Sequence, residues 1–191
     1  MRADTRSGTT RRIHPAGLDD REGNPVLIGV LSDSHGDAQA TARAVAALIA
    51  HGSEVLLHLG DICGDDVIDE LVGHSSRIVF GNCDCNIDVL TQYAIGVGLQ
   101  VDHPMGVIRV DGRRIAFTHG DNAGLMQQAL DDGVDYLLHG HTHTVSDRHV
   151  GDTRVLCPGA LHRATRYTCA LLDPAHDRVR WLEIDTWTPH D

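Results

Sequence analysis

Five short clusters of Asp, Asn and His follow directly on apolar runs of this sequence, and they are the residues best suited to chemistry. The seven candidate ligands in them are Asp33, His35, Asp61, Asn82, His119, His141 and His143. Carboxylate, amide oxygen and imidazole groups suit divalent ions such as Mn, Fe, Zn, Co and Ni. Because one ion rarely takes so many protein ligands, the set predicts a centre that holds two divalent metal ions.

Two of the clusters contain pairs of candidate ligands separated by a single residue. Asp33 and His35 form the first pair, and His141 and His143 form the second. In an extended segment, residues i and i+2 point to the same side, with Cα atoms about 6.5 to 7 Å apart. We therefore expect an extended backbone at both pairs. Asp33 and His35 would then reach one ion, and His141 and His143 would reach two neighbouring ions roughly 3.5 to 4 Å apart.

Glycines flank the polar residues of the clusters at Gly36, Gly60, Gly81, Gly120 and Gly140. Glycine permits tight turns and a positive φ, so the backbone can pass close to a bound ion. Each motif alone also has an ordinary structural explanation, such as a Gly-Asn turn, a Gly-Asp helix cap or a hydrogen-bonded core histidine. The specific feature is the ordered set of five clusters, each at the end of a predicted strand.

Apolar runs and turn residues predict the elements that must position these clusters. In the first half of the chain, strands are predicted at 26–31, 55–59 and 77–80, with helices at 38–51 and 65–73. This βαβαβ order indicates a parallel sheet with helices on its faces. Ligand sites of such sheets lie at the carboxyl ends of the strands, so we expect the clusters to form one site.

The second half of the chain is richer in predicted strands. A hairpin turning at Asp111–Gly112 is expected from the Asp-Gly pair. The predicted elements are strands at 106–110, 113–118, 136–139, 144–150, 154–156, 167–172 and 179–184, and a helix at 122–132. Together the two halves predict an α/β fold of two packed, largely mixed β-sheets flanked by helices.

The ends of the chain and its hydropathy bound the domain organisation. Residues 1–24 are rich in Arg, Asp, Gly and Thr without an apolar period, which predicts a disordered N-terminal tail. Residues 25–191 are expected to form a single domain. The sequence contains no apolar run of the roughly 18 residues that a membrane helix needs, and no secretory signal in the tail.

Charge and composition exclude several classes of protein. The formal net charge of -11 argues against nonspecific nucleic-acid binding and against a membrane-surface role. The sequence contains no Lys, which excludes a Schiff-base lysine and a Walker-type phosphate loop. The 5 cysteines are an odd number without a signal peptide, which favours the reducing environment of the cytoplasm.

The ordered set of clusters resembles that of the calcineurin-like metallophosphoesterase superfamily, over about residues 25 to 165. The short chain without a cap domain is similar to the small single-domain phosphodiesterase branch of that superfamily. The resemblance implies one ion at Asp33, His35, Asp61 and His143, and a second at Asp61, Asn82, His119 and His141, with Asp61 bridging. It also implies that a hydroxide held between the ions attacks phosphorus in line with the leaving oxygen.

One position departs from the pattern of many superfamily phosphatases. They carry Gly-Asn-His-Glu where this chain has Gly81-Asn82-Cys83-Asp84, and their His helps to protonate the leaving group. The small branch often shows the same variant. Cys83 is therefore either a proton donor, since a free thiol has a pKa of about 8.5, or a small buried filler.

Other residues could assist the reaction that the resemblance implies. Besides Cys83, the candidate catalytic residues are Asp61, Asn82 and His35. Arg163 and Arg166 follow a Pro-Gly loop, and they are either phosphate-binding residues or solvated ones.

The sequence therefore predicts a binuclear metal-dependent phosphoesterase, most readily a phosphodiesterase. Mn is the favoured ion, and Fe, Zn, Ni and Co are alternatives. The expected partner is a small phosphodiester or phosphomonoester, which could be a cyclic nucleotide, a nucleic-acid end or a lipid head group. The chain could also form a homo-oligomer. The alternatives are a non-catalytic scaffold of the same fold, like the retromer subunit of the small branch, and a metal-sensing or storage protein.

Overall fold

A computed structural model describes residues 25–184 of the chain. The predicted tail at 1–24 and the last residues, 185–191, lie outside the described residues. The predicted disorder of the tail therefore stays a prediction. Within 25–184, no helix is long and apolar enough to cross a bilayer.

The first sheet contains the parallel strands of the N-terminal half. Its strands are β1 (Ile28–Leu31), β2 (Val55–His58), β3 (Ser76–Ile78), β4 (Gln100–Val101), β10 (Tyr167–Asp173) and β11 (Arg178–Ile184). They lie in the order β11-β10-β1-β2-β3-β4. β1 to β4 are parallel, and the antiparallel pair β10 and β11 extends the sheet beside β1.

The second sheet is also mixed. Its strands are β5 (Met105–Val110), β6 (Arg113–Thr118), β7 (Tyr136–His139), β8 (Ser146–Val150) and β9 (Thr153–Cys157). They lie in the order β5-β6-β7-β9-β8, with β6, β7 and β9 parallel to one another. The predicted hairpin is confirmed, because Val110 pairs with Arg113 around Asp111 and Gly112. Both turn residues have a positive φ, 48° and 76°, as a two-residue hairpin of this kind requires.

Four helices cover the outer faces of the sheets within the described part of the chain. They are α1 (Ala38–Ala50), α2 (Asp65–Asp69), α3 (Ile87–Gly96) and α4 (Ala123–Asp131). α1 begins at Asp37, whose side chain accepts a hydrogen bond from the Ala40 amide, and α4 begins at Asn122, which caps Gly124 and Leu125 in the same way.

Alternation along the strands divides the core into three layers. In β1 and β2, Ile28, Val30, Val55 and Leu57 point between the sheets, where they pack against the second sheet. Leu56, one residue out of phase, packs under α1 to α3 on the outer face. A smaller cluster under α4 covers the outer face of the second sheet. The predicted fold class, two packed mixed sheets flanked by helices, is confirmed.

Three details differ from the prediction. A helix over 65–73 was expected, but α2 ends at Asp69. The amides of Leu71 and Val72 bond to carbonyls three residues earlier, which forms turns and not a further α-helical turn. α3 and β4 were not predicted. The apolar spacing that indicates α3 is present at Ile87, Leu90 and Ala94, but no side chain caps its first turn, which begins after a left-handed Asn86. β4 has only two residues, too few for a period to appear.

Candidate metal centre

The five clusters converge at one edge of the molecule because their strands run in the same direction within each sheet. The loops after β1 and β2 are joined by the Asp33 amide, which donates to the Gly60 carbonyl at 3.0 Å. The two sheets are joined at this edge as well, since the His141 amide donates to Asp33 Oδ2 at 3.1 Å. As predicted, the fold brings the ends of these strands together at one site.

The backbone at the ligand pairs is not extended, and this part of the prediction is wrong. Asp33 and His35 have φ values of 56° and 44°, and His141 and His143 have values of 67° and 55°. Asp61 is also left-handed, with φ of 54°. Non-glycine residues rarely adopt this region, and such conformations cluster where a site demands a particular side-chain direction. The paired ligands therefore reach the centre from tight left-handed turns.

Two glycines are required at the centre by close approach. A Cβ on Gly81 would lie 2.7 Å from the Asp61 amide nitrogen and 2.7 Å from the His119 ring. A Cβ on Gly140 would lie 2.7 Å from Asp33 Oδ2. Since real Cβ atoms do not approach so closely, any side chain at these positions would displace a candidate ligand.

One group of candidate ligands, the Asp33 half, consists of Asp33, His35, His143 and the Oδ2 atom of Asp61. Ligand atoms of these four residues lie within 4.8 Å of one another. His143 Nε2 is 3.2 Å from Asp33 Oδ1 and 3.2 Å from His35 Nε2. His35 Nε2 is 3.6 Å from Asp61 Oδ2. Asp33 is fully buried.

A second group, the His119 half, consists of Asn82, His119, His141 and the Oδ1 atom of Asp61. His119 Nε2 is 3.1 Å from Asn82 Oδ1 and 3.4 Å from Asp61 Oδ1. The rings of His119 and His141 have centroids 5.2 Å apart. All seven predicted ligands therefore lie together, and the two oxygens of Asp61 face different halves.

The distances within each half suit ligands of a common ion. Atoms about 2.0 to 2.2 Å from one ion lie roughly 2.8 to 3.6 Å apart when their directions are perpendicular or tetrahedral. Donor pairs in the two halves, such as His119 Nε2 with Asn82 Oδ1 and His35 Nε2 with Asp61 Oδ2, lie 3.1 to 3.6 Å apart. Asp33 Oδ1 is buried and lacks a hydrogen-bond partner among the described residues, as an atom reserved for a cation would.

The histidine tautomers strengthen this fit. His119 Nδ1 lies 2.8 Å from the Leu59 carbonyl, which can only accept, so the proton must be on Nδ1. The Nε2 lone pair of neutral His119 then faces two further acceptors, Asp61 Oδ1 and Asn82 Oδ1. His143 Nδ1 faces the Arg163 carbonyl at 3.4 Å in the same manner. Acceptors that converge in this way favour a bound cation between them.

Below the Asp33 half, His58 connects two of the loops. Its Nδ1 accepts from the Gly60 amide at 3.2 Å, so Nε2 carries the proton and donates to Ser34 Oγ at 2.8 Å. Complete burial lowers the pKa of His58 to about 3. Burial also lowers the pKa of His35. His58 is thus a neutral, buried histidine that supports the site, and it was not among the predicted site residues.

Cys83 lies beside the centre and not within either set of ligands. Its amide donates to Asp61 Oδ1 at 2.8 Å, and Asn82 Nδ2 donates to its sulfur at 3.4 Å. The thiol is partly exposed, so the alternative of a buried filler is wrong. Burial of part of the group and the neighbouring Asp61 carboxylate raise the pKa of Cys83.

Asp84 is a positioning residue that the sequence analysis missed. Its carboxylate accepts from the Gly81 amide and from the Cys63 amide, both at 2.7 Å. It therefore joins the loops after β2 and β3. Its place in the sequence, next to Cys83 in the third cluster, was the available signal.

The two candidate arginines differ in position. The carbonyl of Arg163 faces His143, and the charge of the Arg163 side chain acts on both His35 and Cys83. Arg166 is largely exposed and pairs with Glu183 of β11 at 3.5 Å. Arg166 is therefore the solvated one of the two.

The chain is similar to a known protein family. Residues 26–177 match the model of the calcineurin-like phosphoesterase superfamily domain. The chain belongs to that superfamily. The predicted family and the predicted hydrolase class are thereby confirmed.

Individual relatives are small prokaryotic proteins. The chain is 26% identical over 137 residues to a phosphodiesterase of Methanocaldococcus jannaschii, covering 69% of this chain and 82% of the relative. It is 29% identical over 143 residues to a probable metallophosphoesterase of Methanothermobacter thermautotrophicus, covering 71% and 77%. It is 25% identical over 145 residues to the phosphodiesterase YfcE of Escherichia coli, covering 68% and 76%.

Solved structures share the fold. A structure described as a novel archaeal phosphodiesterase has a TM-score of 0.76 at 23% identity, covering 83% of this chain and 100% of that chain. A Zn²⁺ complex of Vps29 from Entamoeba histolytica has a TM-score of 0.57 at 21% identity, covering 84% and 99%. At these identities the similarity shows a common architecture, the metallophosphoesterase fold.

Proposed function

We propose that this superfamily member is a binuclear metal-dependent phosphodiesterase. The observation that carries the proposal is the direction of the Asp61 carboxylate, whose two oxygens face separate groups of histidine ligands. In this proposal Asp33, His35, Asp61 and His143 hold one ion, and Asp61, Asn82, His119 and His141 hold the other. Mn is the favoured ion, and Fe, Zn, Ni and Co are alternatives.

When bound, two such ions would activate a water molecule for in-line attack on phosphorus and would neutralise the charge that develops on the phosphoryl oxygens. The residues of the chain have further tasks. Leu59 and Arg163 hold the rings of His119 and His143 through their carbonyls, which fixes the direction of each Nε2 lone pair. The ion centre also supplies local positive charge in a chain whose formal net charge is -11.

Preference for diesters is supported by the names of the relatives from Methanocaldococcus jannaschii and Escherichia coli. The five cysteines of the chain are free thiols, which supports function in the reducing cytoplasm. The scaffold alternative is disfavoured because a scaffold can lose ligands, whereas all seven candidate positions here are occupied by residues able to bind metal.

The test is a metal-by-substrate screen on purified protein, with bound metal measured by elemental analysis. We expect about two Mn ions per chain and faster hydrolysis of bis(4-nitrophenyl) phosphate than of 4-nitrophenyl phosphate. A fully loaded protein with one ion would overturn the binuclear centre. Two ions without turnover of either ester would favour the scaffold or the storage protein.

Within this proposal, Cys83 is the candidate proton donor to the leaving oxygen. A weak donor makes the rate depend strongly on the acidity of the leaving group. Cys83→His should therefore raise the rate on aryl diesters with poor leaving groups more than on nitrophenyl diesters, while Cys83→Ser changes little. The measurement is the slope of log rate against leaving-group pKa, and an equal slope in wild type and Cys83→His would assign proton donation to another group.

A further inference from the structure

A pocket with a volume of about 350 Å³ lies beside the candidate metal centre. It is lined by residues of the loop after β2, the loop after β3 and the first turns of α3. We name it the thiol pocket, because its lining includes the sulfur-bearing side chains of Cys63, Cys83 and Cys85. Its volume falls within the range of about 300 to 1,000 Å³ that small-molecule sites occupy.

The thiol pocket adjoins the centre through two of its lining cysteines. Cys63 Sγ is 3.9 Å from His35 Nδ1, and the Cys83 amide donates to Asp61 Oδ1 at 2.8 Å. Both cysteines therefore touch a candidate ligand on one side and the pocket on the other. A phosphodiester whose phosphoryl group lies at the centre would have one of its two ester groups within reach of the pocket.

The remaining lining is apolar and aromatic. Val89, Leu90 and Tyr93 face the pocket from α3. The Tyr93 hydroxyl donates to Asp69 Oδ1 at 2.6 Å, which holds the ring in place. Sulfur atoms are polarisable and make favourable contacts with aromatic rings, so thiols and a tyrosine ring suit a planar aromatic group.

The charge of the lining disfavours a second phosphate in this pocket. Asp65 is one of the lining residues, and no Arg or His is among the described residues that line the pocket. An anionic group would meet repulsion from Asp65 there, and the charge of Arg163 acts on Cys83 from outside the lining. Since no residue of the lining would compensate the lost hydration of an anion, the lining favours an uncharged occupant.

We propose that the thiol pocket is the subsite for an uncharged aromatic ester group of the phosphodiester substrate. The proposal rests on the phosphodiesterase function proposed above and specifies its substrate class, a diester with one aromatic substituent of aryl or nucleobase size. Val89 is the specificity-determining residue at the rim, where its side chain is 65% exposed.

The first test measures binding without metal or turnover. The probe is 2-naphthol, an uncharged aromatic alcohol. Its binding to the full chain in EDTA is measured by saturation-transfer NMR. Val89→Glu places a charge at the rim and should weaken naphthol binding by about tenfold. Ile95→Glu is the matched control, since Ile95 is 59% exposed on the same helix and does not line the pocket. Absence of binding to the wild type, or equal binding to all three proteins, would overturn the proposal.

The second test uses two Mn-loaded reactions with the same leaving group, on phenyl 4-nitrophenyl phosphate and methyl 4-nitrophenyl phosphate. Val89→Glu should raise KM by about tenfold, with little change in kcat, for the phenyl ester alone if the retained group occupies the pocket. If the nitrophenyl leaving group occupies the pocket instead, Val89→Glu should raise KM for both esters. Turnover by Val89→Glu that matches Ile95→Glu on both esters would overturn the subsite. No turnover by the wild type would instead count against the proposed function.

Discussion

The two halves of the candidate metal centre share Asp61 but differ in charge and enclosure. The Asp33 half contains the Asp33 carboxylate, which is fully buried, and a His35 side chain that is only 6% exposed. In the His119 half, Asn82 supplies a neutral amide, and both Asn82 and His141 are exposed.

Because carboxylates bind divalent ions more strongly than amides do, the Asp33 half should hold its ion more tightly. The His119 half is the more accessible of the two and should exchange its ion more readily. The two halves share Asp61 but are not equivalent, because the other ligands around each Asp61 oxygen differ in charge and exposure.

The largest effect on activity and bound metal is expected at Asp61, the residue that both halves share. Asp61→Ala should lose both ions and reduce diesterase activity by roughly 10³-fold or more, since the proposed nucleophile-generating centre would be lost. Activity and bound metal are measured together, with circular dichroism to verify folding.

The control for this variant is His51→Ala. His51 is exposed at the end of α1, where its Nδ1 lies 2.8 Å from the Ala47 carbonyl of its own helix. It should retain both ions and near-normal activity. Comparable losses in the two variants would place the reaction elsewhere on the molecule.

The difference between the halves is sharpened by removing one ligand from each. Mn titration of the metal-free wild type, followed by calorimetry, should show a tighter and a weaker step. His141→Ala should lose the weaker step and keep the tighter one, and Asp33→Asn should weaken the tighter step by at least about 10- to 100-fold. If both substitutions weakened the same step, the division of ligands between the halves would be wrong.

The smallest effect concerns the support beneath the Asp33 half. The pKa of His58 falls from 6.5 to about 3 on folding, so below pH 6.5 the unfolded chain binds a proton that the folded chain does not. Stability is therefore lost as the pH falls from 6.5 towards 3. Between pH 8 and pH 5, the loss attributable to His58 is about 2 kcal/mol.

This loss can be isolated by comparing unfolding in guanidinium chloride with EDTA at pH 8 and pH 5. His58→Gln should unfold more easily than the wild type at pH 8 but lose about 2 kcal/mol less on acidification. His51→Gln is the control and should follow the wild type at both values, since His51 is exposed. An unchanged acid loss in His58→Gln would show that other groups titrate in this window.

Much of the fold was predictable because its signals are local. The apolar runs that became β1, β2 and β7 are buried along their whole length, and burial on both faces is what a continuous apolar run indicates. The Asp111–Gly112 hairpin follows from the φ values that those two residues tolerate. α3 was not predicted, for two reasons. Among its residues only Ala94 is completely buried, and no side chain caps its first turn, so the sequence gives no clear sign of where the helix begins.

By itself, the sequence determined the types of the seven candidate ligands, their places at strand ends and the family to which they belong. Only the tertiary structure decided the left-handed backbone at Asp33, His35, His141 and His143, the separate directions of the two Asp61 oxygens, and the pocket under α3. The physical reason is range. Strand and turn signals act between neighbouring residues, whereas these features arise where loops from two different sheets meet, and spacing along the chain carries no information about such contacts.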